Sequence, residues 1–203
     1  ARHAFIATSF LKSFISCGVL TEEDVQNFKK SICTVASDFV EDIDSFADGK
    51  VSIKDFMAKY GHLRPGTYDT LSKRYDQRDD LLTGKMEQRS KSSGRGQFKF
   101  SSGQIRGIEA LLKNFSYNVS ANQLIDYIKE AIAAREYSKF IFTKNVSDAL
   151  EIIAAWGERM GLSREDLSYL KITDILDALN VAQGHSVEQY LKDLSENGKS
   201  AHE

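Results

Sequence analysis

The sequence contains one proline, Pro65, in 203 residues, whereas about 5% is usual in soluble proteins. Because proline interrupts helices, this scarcity predicts a mostly helical chain. The only two cysteines, Cys17 and Cys33, have no spacing typical of a metal site, so we expect reduced, buried thiols. No apolar run approaches the roughly 20 residues that span a bilayer, and the first residues lack a signal-peptide pattern.

Strong net charge is also missing. The formal value is −2, so electrostatics gives no reason to expect nucleic acid or an anionic membrane surface as a partner. The sequence has no phosphate-binding P-loop, no zinc-binding His-Glu-x-x-His and no Gly-x-Ser-x-Gly nucleophile motif. The apolar content of 41% is enough for a sizeable core. We therefore expect a soluble, cytoplasmic, all-α protein segment that has no cofactor of its own and is not catalytic by itself.

Apolar residues spaced three and four apart predict helices over most of the chain. They indicate a helix over residues 1–17, a helix of about six turns between Thr21 and Asp48, and a long helix from Ala121 toward Gly157 with a break near residues 143–147. The first helix has no capping signal, which suggests a piece of a longer chain. We expect one irregular multi-helix bundle, divided as follows: N-terminal helices and an ordered loop over 1–76, a mobile basic loop over 77–103, C-terminal helices packing on the first part over 104–195, and a frayed tail over 196–203.

The most informative stretch surrounds the single proline. Gly61 is placed to end a short helix in the left-handed conformation, and Pro65-Gly66 is typical of a type II turn. Arg64 precedes proline and is therefore expected to be extended, with His62 on the same edge. These two side chains could form a corner that binds a phosphate or carboxylate. Alternatively, the loop is a rigid connector in which Arg64 binds carboxylates or carbonyls of neighbouring helices.

The long helix carries a second unusual feature. Arg135, Glu136 and Lys139 fall where its apolar stripe should continue. Arg135 and Lys139 repel each other unless a negative partner is present, and a buried cation needs a partner. One explanation is an internal network, in which Glu136 takes one cation and an acid such as Asp69 or Asp76 takes another. The other explanation is a polar cavity for a phosphorylated or carboxylated ligand.

Two segments carry a resemblance to a known family. The order Lys59-Tyr60-Gly61-His62-Leu63-Arg64-Pro65-Gly66-Thr67-Tyr68-Asp69, followed by Arg74-Tyr75-Asp76, resembles a motif of phosphoenolpyruvate synthase-like proteins, which include the rifampicin phosphotransferases. The segment Ala134-Arg135-Glu136-Tyr137-Ser138-Lys139-Phe140 is similar to a helix of the same proteins. The resemblance implies the helical middle segment between an ATP-grasp domain and a swivelling phosphohistidine domain.

The implied function is a helical acceptor-binding or linker domain of an ATP-dependent phosphotransferase. ATP and Mg²⁺ would bind to domains outside this chain, and the partners would be an anionic small-molecule substrate or the phosphohistidine domain of the same parent chain. His62 is the candidate proton relay, because the ordinary pKa of histidine is nearest neutrality. The candidate substrate contacts are Arg64, Arg74, Arg135, Glu136 and Lys139. The family's phosphate-carrying histidine stands in a Thr-His-Gly context that is missing here, so His62 does not inherit that role. The alternative is a non-enzymatic helical adaptor or spacer, in which the loop is a structural clasp.

Overall fold

A computed structural model describes residues 1–78, 98–180 and 186–202. Within these residues the regular structure is entirely helical, which confirms the all-α prediction. The α-helices are α1 (Arg2–Ser16), α2 (Glu22–Ser31), α3 (Val35–Ala47), α4 (Ile53–Tyr60), α5 (Ser102–Asn114), α6 (Ala121–Arg159), α7 (Arg164–Ser168), α8 (Ile172–Asp177) and α9 (Val187–His202). Residues 79–97 of the predicted mobile basic loop lie outside the described residues.

The chain divides into two compact units, whereas the sequence predicts one domain. Unit 1 consists of Ala1–Ser52 and Met86–Ile141, and unit 2 consists of Ile53–Lys85 and Phe142–Glu203. Each unit therefore combines two segments that are far apart in the sequence. Helix α6 contributes residues to both units, because the division falls inside it.

Unit 1 is organised around an apolar core. Each of four helices places a nearly fully buried side chain in it: Leu11 of α1, Phe28 of α2, Ile108 of α5 and Ile128 of α6. Phe100 packs against Phe28, with 4.9 Å between the ring centroids. Burying an aliphatic or aromatic side chain contributes about 1.5–3 kcal/mol, so this shared core is the main stabilising feature of the unit.

The helix predicted between Thr21 and Asp48 is two helices, because Thr34 begins a new one. The Thr34 amide donates to Ser37 Oγ (2.8 Å) and the Ser37 amide donates to Thr34 Oγ1 (3.4 Å), which is a reciprocal cap. Ile32 has an extended backbone and ends α2. Cys33 lies in this connection and Cys17 lies at the end of α1, and both residues are exposed, so the expected burial was wrong.

The break predicted in the long helix does not occur, since α6 is continuous over 39 residues. Threonine and serine near residues 143–147 are weak helix formers, but Thr143 and Ser147 are buried here, and tertiary contacts outweigh propensity. Among the described residues, α6 and the other helices do not combine the length and apolarity that crossing a membrane requires.

Unit 2 has a smaller apolar core, contributed by α6 to α9 and the turn after α8. Leu162, Leu167 and Leu191 are buried there, and Trp156 and Met160 pack against them. The helical spacing of Trp156, Met160 and Leu162 in the sequence predicts that they are core residues, and the structure confirms this prediction.

The C-terminal end of unit 2 is helical through His202, where the sequence predicts a frayed tail. Two contacts with α7 hold it: Ser195 donates from its hydroxyl to the Asp166 carbonyl (3.0 Å), and Lys199 Nζ lies 2.6 Å from Asp166 Oδ1. A hydrogen bond from Lys199 is the main reason that the pKa of Asp166 falls to about 2. The polar composition of this segment predicts fraying, but its contacts with α7 keep it helical.

Candidate functional site

The loop that carries the motif, residues 61–77, belongs to unit 2 and is called the motif loop below. The loop follows α4 at Gly61, and its last residues lie beside its first residues. The Tyr75 amide donates to the Leu63 carbonyl (2.8 Å), and the Asp76 amide donates to the Gly61 carbonyl (3.1 Å). These hydrogen bonds close the loop, which is the ordered loop that the sequence predicts.

Both glycines of the motif are required for space. Neither Gly61 nor Gly66 has a positive φ, so the predicted left-handed helix cap and type II turn are wrong. A Cβ on Gly61 would clash with the Met57 carbonyl oxygen, and a Cβ on Gly66 would lie 2.8 Å from Asp69 Cβ. Any other residue at these positions would therefore force the loop apart.

Arg64 is the buried centre of the motif loop, and its side chain is only 1% exposed. Its Nη1 donates to the carbonyls of Asp69 (3.2 Å) and Ser72 (3.1 Å), which holds the loop in its bend. Its Nε and Nη2 donate to α6, at Ser147 Oγ (3.3 and 2.9 Å) and at Glu151 Oε1 (2.9 Å). A guanidinium has five N–H donors, and these contacts occupy the whole group.

Glu151 of α6 is the acid that pairs with Arg64. Both carboxylate oxygens accept two hydrogen bonds: Oε1 from Arg64 and from Arg164 Nη1 (3.1 Å), and Oε2 from Arg164 Nη2 (2.6 Å) and Gln77 Nε2 (2.7 Å). Arg164 also donates to the Thr70 carbonyl (3.1 Å). We call this group the Glu151 clasp; it joins the motif loop to α6 and α7.

Two opposing effects set the pKa of Glu151. Burial alone would raise it, but the hydrogen bonds from Arg164, Gln77 and Arg64 outweigh burial and bring the pKa to about 2. The hydrogen bond to Glu151 is also the main reason that the pKa of Arg164 is raised. Glu151 and Arg164 are therefore both ionised at neutral pH.

Arg74 forms a second ionic group at the end of the motif loop. It binds Asp76 through Nε (3.1 Å) and Nη2 (2.9 Å), and its Nη1 lies 2.7 Å from Asp148 Oδ1 of α6. Burial acts to lower the pKa of Arg74, but hydrogen bonds to Asp148 and Asp76 raise it. Asp76 is thus the acid that the sequence suggested as a cation partner, although its cation here is Arg74.

His62 is packed inside unit 2 and is 4% exposed. Its carbonyl accepts a hydrogen bond from Ser147 Oγ (2.7 Å), the same hydroxyl that accepts from Arg64. Burial lowers the pKa of His62, the positive charges of Lys144 and Arg74 lower it further, and Asp148 and Asp76 offset part of the effect. The imidazole is therefore neutral at pH 7, which is the form that can accept a proton.

The predicted site residues fall into two sets. His62, Arg64 and Arg74 lie together in unit 2, whereas Arg135, Glu136 and Lys139 lie in unit 1. Arg135 is half exposed; its Nη1 lies 3.2 Å from Glu136 Oε1, and its guanidinium lies 5.9 Å from the ring centroid of Phe5. Lys139 is exposed. This pairing corresponds to the network explanation for Arg135, and the contacts of Arg64 correspond to the connector explanation for the loop.

Sequence reasoning missed the residues of α6 and α7 that hold the motif loop. Ser147, Asp148 and Glu151 lie within one turn on one face of α6, and polar residues in such a pattern usually face solvent. The only available signal was indirect, since the basic residues of the loop need acids nearby. It does not say which of the 29 acidic residues supplies them.

A pocket of about 270 Å³ adjoins the motif loop in unit 2. Its loop side is formed by Tyr68, Asp69 and Thr70, and its other walls are mainly aliphatic side chains of α6 to α8. Tyr68 is 68% exposed, and Thr70 is buried with a hydroxyl that has no hydrogen-bond partner among the described residues. The pocket can therefore bind an apolar group beside one or two polar atoms.

Within residues 1–78, 98–180 and 186–202, there is no group of three or more histidine, cysteine, aspartate or glutamate side chains that could hold a metal ion. Comparison of this chain with protein-family models, curated proteins and solved structures found no match.

Proposed function

We propose that this chain is the acceptor-binding helical domain of a phosphoenolpyruvate synthase-like, ATP-dependent phosphotransferase. In this proposal a histidine on another domain of the parent chain carries the phosphoryl group, and ATP and Mg²⁺ bind outside the present chain. The parent protein acts in the cytoplasm. The motif that carries the resemblance is the segment that unit 2 holds in place with buried charges, and this supports the proposal.

The observation that carries the proposal is the two-sided construction of the motif loop. One side, through Arg64, is fixed to α6 by the Glu151 clasp. The other side, through Tyr68 to Thr70, forms a wall of the 270 Å³ pocket. We therefore assign acceptor binding to the pocket, and loop positioning to Arg64 and Arg74. His62, the candidate proton relay, is buried and does not line this pocket.

A non-enzymatic adaptor or spacer is the second candidate. This candidate is supported by the internal pairing of the loop's cations, because Arg64 and Arg74 donate their hydrogen bonds to carboxylates, carbonyls and a hydroxyl of the same unit. An adaptor would use the same clasp to keep a rigid surface.

The two candidates differ in a direct experiment on the full-length parent protein. Incubation with Mg²⁺ and radiolabelled ATP should give a label that is acid-labile and alkali-stable, as a phosphohistidine is. The label should then pass to pyruvate or to another compound in a panel of small hydroxyl acceptors. Failure to form the label would refute the phosphotransferase proposal and leave the adaptor.

A matched pair of substitutions tests the pocket. Ile172 of α8 lines it and is 56% exposed, whereas Leu176 of α8 is 61% exposed and does not line it. Ile172→Trp should raise the KM for the acceptor about tenfold, which corresponds to ~1.4 kcal/mol, and leave labelling by ATP unchanged. Leu176→Trp should change neither quantity. Equal effects of the two substitutions would remove the pocket from the proposal without touching the phosphotransferase assignment.

A further inference from the structure

Unit 1 contains a pocket that the proposed function does not use. Its volume is about 390 Å³, and it lies between the second half of α1 and the end of α5. Aromatic rings provide much of its wall: Phe10 and Phe14 come from α1, and Phe115 and Tyr117 follow α5. This size and lining are typical of small-molecule sites, which are concave and mostly apolar. We call it the aromatic pocket.

The turn after α5 holds two of these rings in an unusual way. Ser116 has φ 58°, the only positive φ of a non-glycine residue that the structure describes. Such a conformation is unfavourable for an L-residue. Its neighbours Phe115 and Tyr117 are 70% and 52% exposed, and Tyr117 meets Phe10 edge to face, with 5.8 Å between the ring centroids. The positive φ closes the C-terminal cap of α5: the Ser116 amide donates to the Lys113 carbonyl (3.1 Å) and the Tyr117 amide donates to the Leu112 carbonyl (2.9 Å), so the cap fixes the turn that carries both rings.

The polar groups of the aromatic pocket decide which ligand fits. The hydroxyls of Ser13 and Ser16 already donate to helix carbonyls, at 3.0 and 3.1 Å. Lys12 is the charged residue of the lining, is exposed, and makes no ion pair with any residue that the structure describes. A ligand therefore meets apolar rings inside the pocket and one positive charge at its edge.

We propose that the aromatic pocket binds an amphipathic carboxylate, with the apolar part of the ligand among the rings and the carboxylate on Lys12. Apolar burial supplies most of the affinity, at about 25 cal/mol per Å² of buried surface. An exposed ion pair changes the affinity only about two- to fivefold, so Lys12 gives a modest preference for an anionic ligand.

The alkylation rate of Cys17 can report ligand binding in the aromatic pocket. The Cys17 thiol is exposed and lines the aromatic pocket, while Cys33 is exposed in the same unit and does not line it. Alkylation by iodoacetamide, followed by peptide mass spectrometry, gives both rates in one sample. With octanoate as the probe, we expect saturable protection of Cys17 and an unchanged rate at Cys33. Absence of protection at Cys17, or equal protection of both cysteines, would overturn the proposal.

Two lysine variants test the charge. Lys12→Met keeps most of the side-chain volume and should raise the octanoate concentration for half-protection about two- to fivefold, the factor that an exposed ion pair is worth. Lys113→Met removes an exposed lysine of α5 that does not line the pocket, and it should leave that concentration unchanged. Octan-1-ol should protect Cys17 equally in all three proteins. Equal effects of the two lysine substitutions on octanoate would refute the assignment of the carboxylate to Lys12.

Discussion

The two units of this protein bury different kinds of side chain. Unit 1 packs apolar side chains from α1, α2, α5 and α6, whereas unit 2 has a smaller apolar core and buries polar groups beside it. Within the described residues, all of the buried polar side chains belong to unit 2: His62, Arg64, Thr70, Thr143, Ser147 and Ser195. Three of these six residues belong to the motif loop and a fourth, Ser147, binds it, so unit 2 uses its buried polar groups mainly to position one loop.

The same contrast appears along α6. Glu136, in unit 1, pairs with a half-exposed arginine, and exposed pairs contribute about 0–1 kcal/mol. Glu151, in unit 2, pairs with an arginine whose side chain is 1% exposed. Losing one partner of a buried pair leaves an uncompensated charge, which costs about 3–5 kcal/mol. Similar residues on one helix thus differ in importance because the burial of their partners and the number of their hydrogen bonds differ.

The largest expected effect follows from breaking the Glu151 clasp. Glu151→Ala should lower the free energy of unfolding of unit 2 by about 3–5 kcal/mol, because Arg64 keeps its buried charge without a carboxylate. Urea unfolding followed by the fluorescence of Trp156, the only tryptophan in the chain, reports on unit 2. The matched control on the same helix is Glu136→Ala, which should stay within ~0.5 kcal/mol. A loss below ~1 kcal/mol for Glu151→Ala would mean that the clasp is not a stabilising centre.

A core truncation tests the other side of the comparison. Leu11→Ala removes a side chain that is 1% exposed in the apolar core of unit 1, and it should cost about 2–5 kcal/mol. Circular dichroism records both units, whereas Trp156 records unit 2. We expect the loss in the circular dichroism transition, with little change in the tryptophan transition. Equal shifts by the two probes would show that the units unfold together.

A third substitution tests how much the hydroxyl of Ser147 contributes to the stability of unit 2. Ser147→Ala removes an acceptor from Arg64 and a donor from the His62 carbonyl, all inside unit 2. Leaving such buried groups unsatisfied should cost about 1–3 kcal/mol in the same urea experiment. Ser138→Ala, at an exposed position of the same helix, should change stability by no more than ~0.5 kcal/mol. If both variants behave alike, the hydroxyl is dispensable.

The smallest effect is expected on mild acidification. Folding lowers the pKa of His62 below its ordinary value of 6.5, so the unfolded chain takes up the proton more readily than the folded chain. Stability is therefore complete above pH 6.5 and is lost as the pH falls from 6.5 toward the lower folded pKa. Glu151 acts in a separate window: its stabilisation is present above its ordinary pKa of 4.5 and is lost toward its folded pKa of about 2.

The stability of unit 2, followed through Trp156, should thus decrease between pH 7 and pH 5. His62→Gln should flatten this decrease, whatever its effect at pH 7. His3→Gln, in unit 1, is the control variant and should keep the pH dependence of the starting protein. A decrease that persists unchanged in His62→Gln would assign it to another group.

Much of the fold could be predicted from the sequence because helices are encoded locally. Apolar spacing predicted α1 and the long α6, and the position of Trp156 in the core. The sequence prediction was wrong at two places where opposing signals compete. The apolar spacing between Thr21 and Asp48 predicts one helix, but the reciprocal cap at Thr34 begins a second one. The weak helix formers near Ser147 predict a break, but Ser147 is buried and α6 continues through it.

The helical character of this protein and the unusual segment around Pro65 can be inferred from the amino-acid order, because apolar spacing, proline and glycine act on the backbone nearby. The role of Arg64 depends on contacts that form only when the chain folds. Its partners lie 83 and 87 residues away, at Ser147 and Glu151, and their polar spacing resembles an ordinary solvent-facing helix. The energy of a charge depends on its burial and on the groups that folding brings beside it, and the local sequence predicts neither of them.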